Sequence, residues 1–216
     1  FVEGRLKPAR VLISEGENQL KNYVGFVNDH SGSMSSLKTA AIADYNANIT
    51  ATKEAASREM LDTVVSVVGV GIGAPTTGRY ARQDGYGVKR QVVISNPHVL
   101  KPVTQWSVMG GTPLWDGVGE MIELFQSLPD ADDENVSFLL ITTTDGEEQH
   151  STRYSAGSLA EKIAEKQRTG RWTFVFRVPK GKSSNLRGLG VPADNIVEWD
   201  TTAQGMAASS AQTQTA

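Results

Sequence analysis

Residues 26–34 read FVNDHSGSM, and this stretch joins the end of an apolar segment to a loop rich in side-chain oxygens. The segment at 23–28 is short and mostly apolar, which predicts a buried strand. Asp29 follows that strand at once, and Ser31 and Ser33 stand two and four positions further on. One carboxylate and two hydroxyls at the end of a buried strand indicate a binding site at the edge of a sheet.

Outward from this stretch, short apolar runs alternate with helical patterns, which is typical of an α/β domain with a mostly parallel sheet. Further strands are predicted at 63–70, 91–95, 136–142, 172–178 and 195–199, and helices at 35–56, 110–128 and 159–168. The connection before residues 91–95 is too short for a crossover helix, so this strand is predicted to pair antiparallel at the edge. The sequence therefore predicts a doubly wound, Rossmann-like sheet with helices on both faces.

We divide the chain into an N-terminal extension at 1–21, one domain at 22–204, and a C-terminal segment at 205–216. The extension carries one weak strand pattern at Arg10 to Ser14, and a short turn is expected near residues 186–189. The C-terminal segment consists of Ala, Ser, Gln and Thr with little pattern, which indicates the start of a helix or a frayed tail.

Composition narrows the classes of function. The 216 residues are 39% hydrophobic, which suits one globular domain, and the net charge of -3 gives no electrostatic reason to expect nucleic acid or membrane binding. No apolar run approaches the roughly 18 residues of a membrane helix. The absence of cysteine excludes disulfides, thiol nucleophiles and thiolate zinc sites. The chain starts at Phe1 and not at methionine, which is typical of a fragment or a processed product.

Two further oxygen side chains are expected near Asp29. Asp145 follows the predicted strand VSFLLIT, and Thr112 opens the helical segment GGTPLWDGV. Because ligands of parallel sheets bind outside the carboxyl ends of the strands, both should approach the first loop. Asp29, Ser31, Ser33, Thr112 and Asp145 together offer only hard oxygen ligands, which predicts a site for Mg²⁺ and, less selectively, for Mn²⁺ or Ca²⁺.

These motifs resemble those of the von Willebrand factor type A (VWA) domain and its metal-ion-dependent adhesion site. The resemblance rests on D-x-S-x-S after the first strand, a threonine after GG, and Asp-Gly after a later strand, and it covers residues 22–204. DHSGSM is similar to the commonest form of the motif in that family, and GGTPLWDGV resembles its prokaryotic or phage-like members. The resemblance implies that Asp29, Ser31 and Ser33 bind the metal directly, Thr112 directly or through water, and Asp145 through water.

Each of these residues also has an ordinary structural interpretation. Thr112 precedes Pro113 and fits a helix N-cap. Ser31 and Ser33 are suited to bonding loop amides, and Asp145 with Gly146 fits a plain turn.

Three features next to the predicted ligands bear on which partner the site would accept. His30 is expected to face solvent or the rim of the site, away from the metal. The threonines at 142–144 form either a hydroxyl shell behind the site or no part of it. Glu147 and Glu148 add negative charge near the same edge.

The resemblance implies a non-catalytic module that binds a protein partner, with the cation bridging to an Asp or Glu carboxylate of that partner. Two settings fit, a surface adhesion domain or an intracellular adaptor beside an AAA+ ATPase. The lack of cysteine and the prokaryote-like motif favour the second, cytoplasmic setting, or a phage protein. One alternative is a magnesium-dependent hydrolase or phosphotransferase, although Ser31 stands where aspartyl phosphotransferases carry a second aspartate. Another alternative is a scaffold with a vestigial metal site.

Overall fold

The computed structural model describes residues 20–74, 87–146 and 148–215. They contain a six-stranded sheet formed by β1 (Lys21–Asp29), β2 (Asp62–Val70), β3 (Val88–Ser95), β4 (Val136–Thr143), β5 (Trp172–Pro179) and β6 (Ile196–Trp199). The helices are α1 (Lys38–Glu59), α2 (Leu114–Gln126), α3 (Ala156–Gln167), α4 (Ser183–Gly188) and α5 (Ala203–Thr215). Short 3₁₀ turns lie at Gly32–Leu37, Pro97–Val99 and Ala193–Asn195.

The strand order β3-β2-β1-β4-β5-β6 places β1 at the point where the direction of winding reverses. Every pairing is parallel except that of β2 with β3, which is antiparallel at the edge. This confirms the predicted mostly parallel sheet with one antiparallel edge strand. A crevice between the carboxyl ends of β1 and its neighbours is where an open α/β sheet binds ligands.

Alternation along β1 distributes its side chains between two apolar layers. Tyr23 and Val27 face the layer that contains α2, whereas Val24 and Phe26 face the layer that contains α1. Gly25 lies under α2, and a Cβ atom there would meet the Met121 side chain at 2.8 Å. The two helices therefore cover opposite faces of the sheet, and they fix β1 as its central strand.

Several elements differ from the sequence prediction in extent. The helix predicted from residue 35 starts at Lys38, after the Gly32–Leu37 turn, and the turn expected near 186–189 is the short helix α4. The weak strand predicted at Arg10 to Ser14 lies outside the described residues. Within the part of the chain that is described, no helix has the length and apolarity needed to cross a membrane.

The C-terminal segment forms α5, a helix of 13 residues, where the sequence left a helix start and a frayed tail as alternatives. The buried side chains of α5 are Met206, Ser209 and Ser210. Arg177 of β5 donates hydrogen bonds to the Met206 carbonyl and to the Ser209 hydroxyl. Met206 also packs with Trp199 and with Met34, Leu37 and Ala41. With a single large apolar side chain among these buried residues, α5 carries no periodic apolar pattern.

Candidate functional site

Asp29 ends β1 with a carboxylate that is 1% exposed and held from two sides. Its Oδ1 accepts a hydrogen bond from the Ser31 backbone N–H at 2.7 Å, and its Oδ2 accepts one from the Thr144 hydroxyl at 2.6 Å. Thr144 follows β4 directly. The neighbouring strand end therefore fixes the orientation of the Asp29 carboxylate, so one threonine of the 142–144 run does form a hydroxyl shell behind it.

A chain of hydrogen bonds leads from the first loop to Asp145. The Ser31 and Ser33 hydroxyl oxygens lie 3.0 Å apart, and the Ser33 hydroxyl donates to Asp145 Oδ1 at 2.8 Å. A Cβ atom at Gly146 would lie 3.6 Å from the Thr112 hydroxyl oxygen and 3.8 Å from that of Ser33. The structure therefore gathers the five predicted oxygen side chains at one end of β1 and β4, while their role as metal ligands stays a prediction.

Thr112 does not cap α2, contrary to the ordinary interpretation of the Thr-Pro pair. The helix starts at Leu114 and its N-cap residue is Pro113, so the N-cap makes no side-chain hydrogen bond to the helix. The free amides of the first turn are instead bonded by Glu148, whose carboxylate accepts from Trp115 N–H at 2.8 Å, and by the Ser151 hydroxyl, which accepts from Asp116 N–H at 3.1 Å. A loop distant in sequence performs the capping, so the local pattern was misleading.

Glu148 consequently has a different role from the one expected. Its two carboxylate oxygens are bonded to Trp115 N–H and to the backbone and hydroxyl of Ser151. A carboxylate at a helix N-terminus also interacts favourably with the helix dipole. Glu148 therefore stabilises the start of α2, in addition to the negative charge that it brings to this edge, whereas Glu147 lies outside the described residues.

Glycines after β2 allow three loops to pack backbone against backbone beside the site. Gly71 has φ +103°, and a Cβ atom there would lie 2.6 Å from the Ser31 nitrogen. A Cβ atom at Gly73 would lie 2.5 Å from the Met109 nitrogen. The loops are joined by backbone hydrogen bonds, including Gly32 N–H to the Gly110 carbonyl at 2.9 Å. The glycine-rich run after β2 is explained by this close approach.

His30 is buried, and the expectation that it faces solvent or the rim is wrong. Its ring stacks on Trp106 with 4.2 Å between ring centroids, and its Nδ1 lies 2.9 Å from the Ser107 carbonyl oxygen. Burial lowers the pKa of the imidazole, and the Ser107 carbonyl opposes that effect. Trp106 in turn donates its indole N–H to the Asp29 carbonyl at 3.1 Å. No sequence pattern marks either ring as part of the support of Asp29, because both contacts cross about 77 positions.

The charge at the site is negative. Burial raises the pKa of the Asp145 carboxyl, the Ser33 hydrogen bond lowers it, and the charge of Asp29 raises it further. No Lys or Arg in the described residues forms an ion pair with Asp29 or Asp145. Two carboxylates and three hydroxyls fit a hard divalent cation.

Clusters of three or more His, Cys, Asp or Glu side chains suited to a metal do not occur within residues 20–74, 87–146 and 148–215. The predicted set differs from such clusters in kind, because three of its five oxygens come from hydroxyl groups. The fit of a cation therefore depends on the hydroxyl oxygens as well as on the two carboxylates.

Comparison with known proteins identifies the class of fold. No protein-family model and no curated protein sequence matches the chain. Among solved structures, the SpRpn10 VWA domain matches with a TM-score of 0.58 at 9% identity, over 87% of this chain and 93% of that domain. The von Willebrand domain of the type V pili tip protein Mfa5 from Porphyromonas gingivalis matches with a TM-score of 0.61 at 10% identity, over 91% and 95% of the two chains.

A third match is the pilus adhesin SpaC from Lactobacillus rhamnosus GG, with a TM-score of 0.62 at 13% identity. It covers 92% of this chain but 30% of the adhesin, so the chain spans less than a third of that protein. These similarities confirm that the chain has the fold of a VWA domain.

Proposed function

We propose that this chain is a non-catalytic protein-binding module that engages its partner through a divalent cation, with Mg²⁺ as the first candidate. Two of its fold relatives are, by name, a pilus adhesin and a pili tip protein, which supports a protein-interaction module. The observation that carries the proposal is the meeting of five oxygen side chains, from three separate segments, at the switch point of the sheet.

The proposed ligands are Asp29, Ser31, Ser33, Thr112 and Asp145. A cation held by these residues would keep net positive charge and attract an Asp or Glu carboxylate of the partner protein. Two carboxylates without a cationic neighbour among the described residues favour such an ion over an empty site, and the charge of Asp29 contributes to the raised pKa of Asp145.

The surrounding residues support the ligands before anything binds. The Thr144 hydroxyl and the Ser31 amide orient Asp29, and the indole of Trp106 holds the backbone of that residue. A site whose supporting hydrogen bonds already exist loses less free energy to ordering when it binds. The affinity for a partner also requires a matching protein surface, because a single bridging ion contributes only part of an interface.

The first test compares thermal unfolding in Mg²⁺ and in chelator. At 100 times the dissociation constant, a bound cation stabilises the protein by about 2.7 kcal/mol, which corresponds to a Tm rise of about 5–10 °C at this chain length. Asp29→Ala should remove that rise, whereas Asp130→Asn at the opposite end of the sheet should keep it. Equal Tm values in Mg²⁺ and chelator for the unmodified chain would instead support a scaffold with a vestigial site.

A second test addresses the non-catalytic part of the proposal. The chain is incubated with Mg²⁺ and a generic phosphate ester, and release of phosphate is measured for the unmodified protein and for Asp29→Ala. We expect no release above the buffer. Turnover that disappears in Asp29→Ala would replace the binding module with the hydrolase alternative.

The host setting is proposed from the same comparisons. A surface adhesion setting has named fold relatives, and an adaptor role beside an AAA+ ATPase remains a sequence-based prediction. A pull-down from lysate of the source cell, in Mg²⁺ and again in chelator, distinguishes the two by the partner it retains.

A further inference from the structure

Asp116, in the first turn of α2, is buried and accepts hydrogen bonds from three successive backbone amides of another loop. Thr152 N–H donates to Oδ2 at 2.8 Å, and Arg153 and Tyr154 donate to Oδ1 at 2.9 and 2.8 Å. The side chain is 4% exposed. A buried carboxylate with these partners is well satisfied, and it binds a segment that has no helix or strand bonds of its own.

The contacts of Asp116 join two segments that carry predicted ligands. Thr112 lies two residues before α2, and its carbonyl accepts from Gln149 N–H at 2.8 Å. Asp145 lies at the start of the same 145–154 connection. The Thr112 segment is therefore tied to the Asp145 segment by three sets of hydrogen bonds. They are the amide bonds to Asp116, the bond from Gln149 N–H to the Thr112 carbonyl, and the bond from Trp115 N–H to Glu148.

We infer that Asp116 is a positioning residue that fixes the separation of Thr112 from Asp145, and thereby sets the affinity of the site for a divalent cation. The inference rests on the proposed function, because it assigns the second layer of that same site. It differs from a purely structural role in one respect: removal of the Asp116 contacts should weaken cation binding through Thr112 specifically.

The experiment measures Mn²⁺ binding by electron paramagnetic resonance, far below the unfolding temperature, in the unmodified chain and in Asp116→Asn. Asparagine keeps the volume but replaces one acceptor oxygen by a donor that faces an amide N–H. Substitution of residues that hold metal ligands typically weakens metal affinity 10- to 100-fold, so we expect a Kd about 10 times higher. Asp130→Asn is the matched control, since Asp130 bonds Lys21 and Tyr23 at the amino end of β1 and should change the Kd less than about 2-fold.

A double-mutant cycle separates positioning from general destabilisation. If Asp116 acts through Thr112, Asp116→Asn should add less than about a 2-fold loss once Thr112→Ala is present. Hydrogen exchange at the amides of 152–154 should be faster in Asp116→Asn whether or not metal is added. An equal Kd for the unmodified chain and Asp116→Asn, or a full additional loss in the Thr112→Ala background, overturns the inference.

The outcomes also separate this inference from the proposed function. If the unmodified chain binds no Mn²⁺, the cation proposal and the role of Asp116 fall together. If it binds Mn²⁺ and Asp116→Asn binds equally well, only the role of Asp116 falls. Should Asp116→Asn not fold, Asp116→Glu keeps the charge but moves the carboxylate away from the amides of 152–154, and an unchanged Kd in that variant also overturns the role of Asp116.

Discussion

Two polar clusters lie near the carboxyl ends of the strands, and they differ in whether their negative charge is neutralised by a basic side chain. In the arginine cluster, Arg177 donates to both carboxylate oxygens of Asp44, at 2.9 and 2.6 Å, and to the Ser209 hydroxyl. In the site cluster, Asp29 accepts from the Ser31 amide and the Thr144 hydroxyl, and Asp145 accepts from the Ser33 hydroxyl. No Lys or Arg of the described residues forms an ion pair with either carboxylate. One cluster is neutral within the chain and the other keeps its negative charge.

The difference in charge suggests a structural role for the arginine cluster and a binding role for the site cluster. The arginine cluster is closed, because its side chains join α1, β5 and α5 and Arg177 is 0% exposed. A buried charge without a partner is costly, so a folded chain normally neutralises it internally. The site cluster has no such partner among the described residues, which agrees with the cation proposed above.

The largest expected effect comes from breaking the closed cluster. Arg177→Met leaves the Asp44 carboxylate buried without its cation, which typically costs about 3–5 kcal/mol. Urea unfolding measures the free energy of unfolding, and the additional change Asp44→Asn should recover part of the loss.

The same variant tests whether the two clusters are independent. The Mg²⁺-dependent rise in Tm should survive in Arg177→Met, since the side-chain hydrogen bonds of Arg177 go to Asp44, Thr143, Met206 and Ser209 and not to the five predicted ligands. Loss of that rise would mean that the clusters are coupled, through the small cavity that Asp29 and Asp44 both line.

A smaller effect is expected from changing the backbone support of the site cluster. Gly71→Ala combines a left-handed φ of +103° with a Cβ atom 2.6 Å from the Ser31 nitrogen, so we expect a loss of about 1–3 kcal/mol. Gly181→Ala is the matched control, since Gly181 has φ +81° and no atom within 4 Å of the added Cβ. Urea midpoints and Mn²⁺ affinities of both variants give the comparison, and equal losses would show that the close approach to Ser31 has no energetic consequence.

The smallest expected effect is a gain in stability, from the substitution Asp145→Asn. Burial and the charge of Asp29 raise the pKa of Asp145, so the folded state holds the proton more tightly than the unfolded state does. Stability is therefore lost as the pH rises from the usual aspartate range through the raised pKa. In metal-free buffer at pH 7, Asp145→Asn should have a slightly higher Tm than the unmodified chain.

That gain should shrink as the pH falls toward 4, because Asp145 takes up its proton first in the folded state and then in the unfolded state. Tm values measured from pH 4 to pH 7 in chelator provide the check. A higher Tm for the unmodified chain at pH 7 would show that the charge of Asp145 is already compensated within the protein.

Local patterns in the sequence predict the sheet and the meeting of the five oxygen side chains at one of its edges. The role of these side chains as metal ligands stays a prediction. Apolar runs identify buried strands, and in a parallel sheet the residues after them must meet at one edge, which places Asp29 near Asp145 without any knowledge of tertiary contacts. The fold class and the antiparallel edge strand followed from the same patterns.

The remaining features depend on contacts between distant segments. The Thr-Pro pair suits a helix cap locally, but the amide of Trp115 is bonded by Glu148, which lies 33 positions further along the chain. The burial of His30 depends on its stacking on Trp106, which no local pattern predicts. The helix α5 gives no periodic apolar signal, because Arg177 bonds polar groups of the helix and Met206 is its one large buried apolar side chain in the described part.

The position of the Trp106 indole makes binding at the site accessible to intrinsic fluorescence. It is hydrogen-bonded to the Asp29 carbonyl and stacked on His30, whereas Trp172 stacks on Phe138 in the apolar layer around α2. A shift of the first loop therefore changes the surroundings of this fluorophore directly. Its intrinsic emission gives an optical signal for events at the Asp29 loop without any attached dye, and Trp106→Phe supplies the blank.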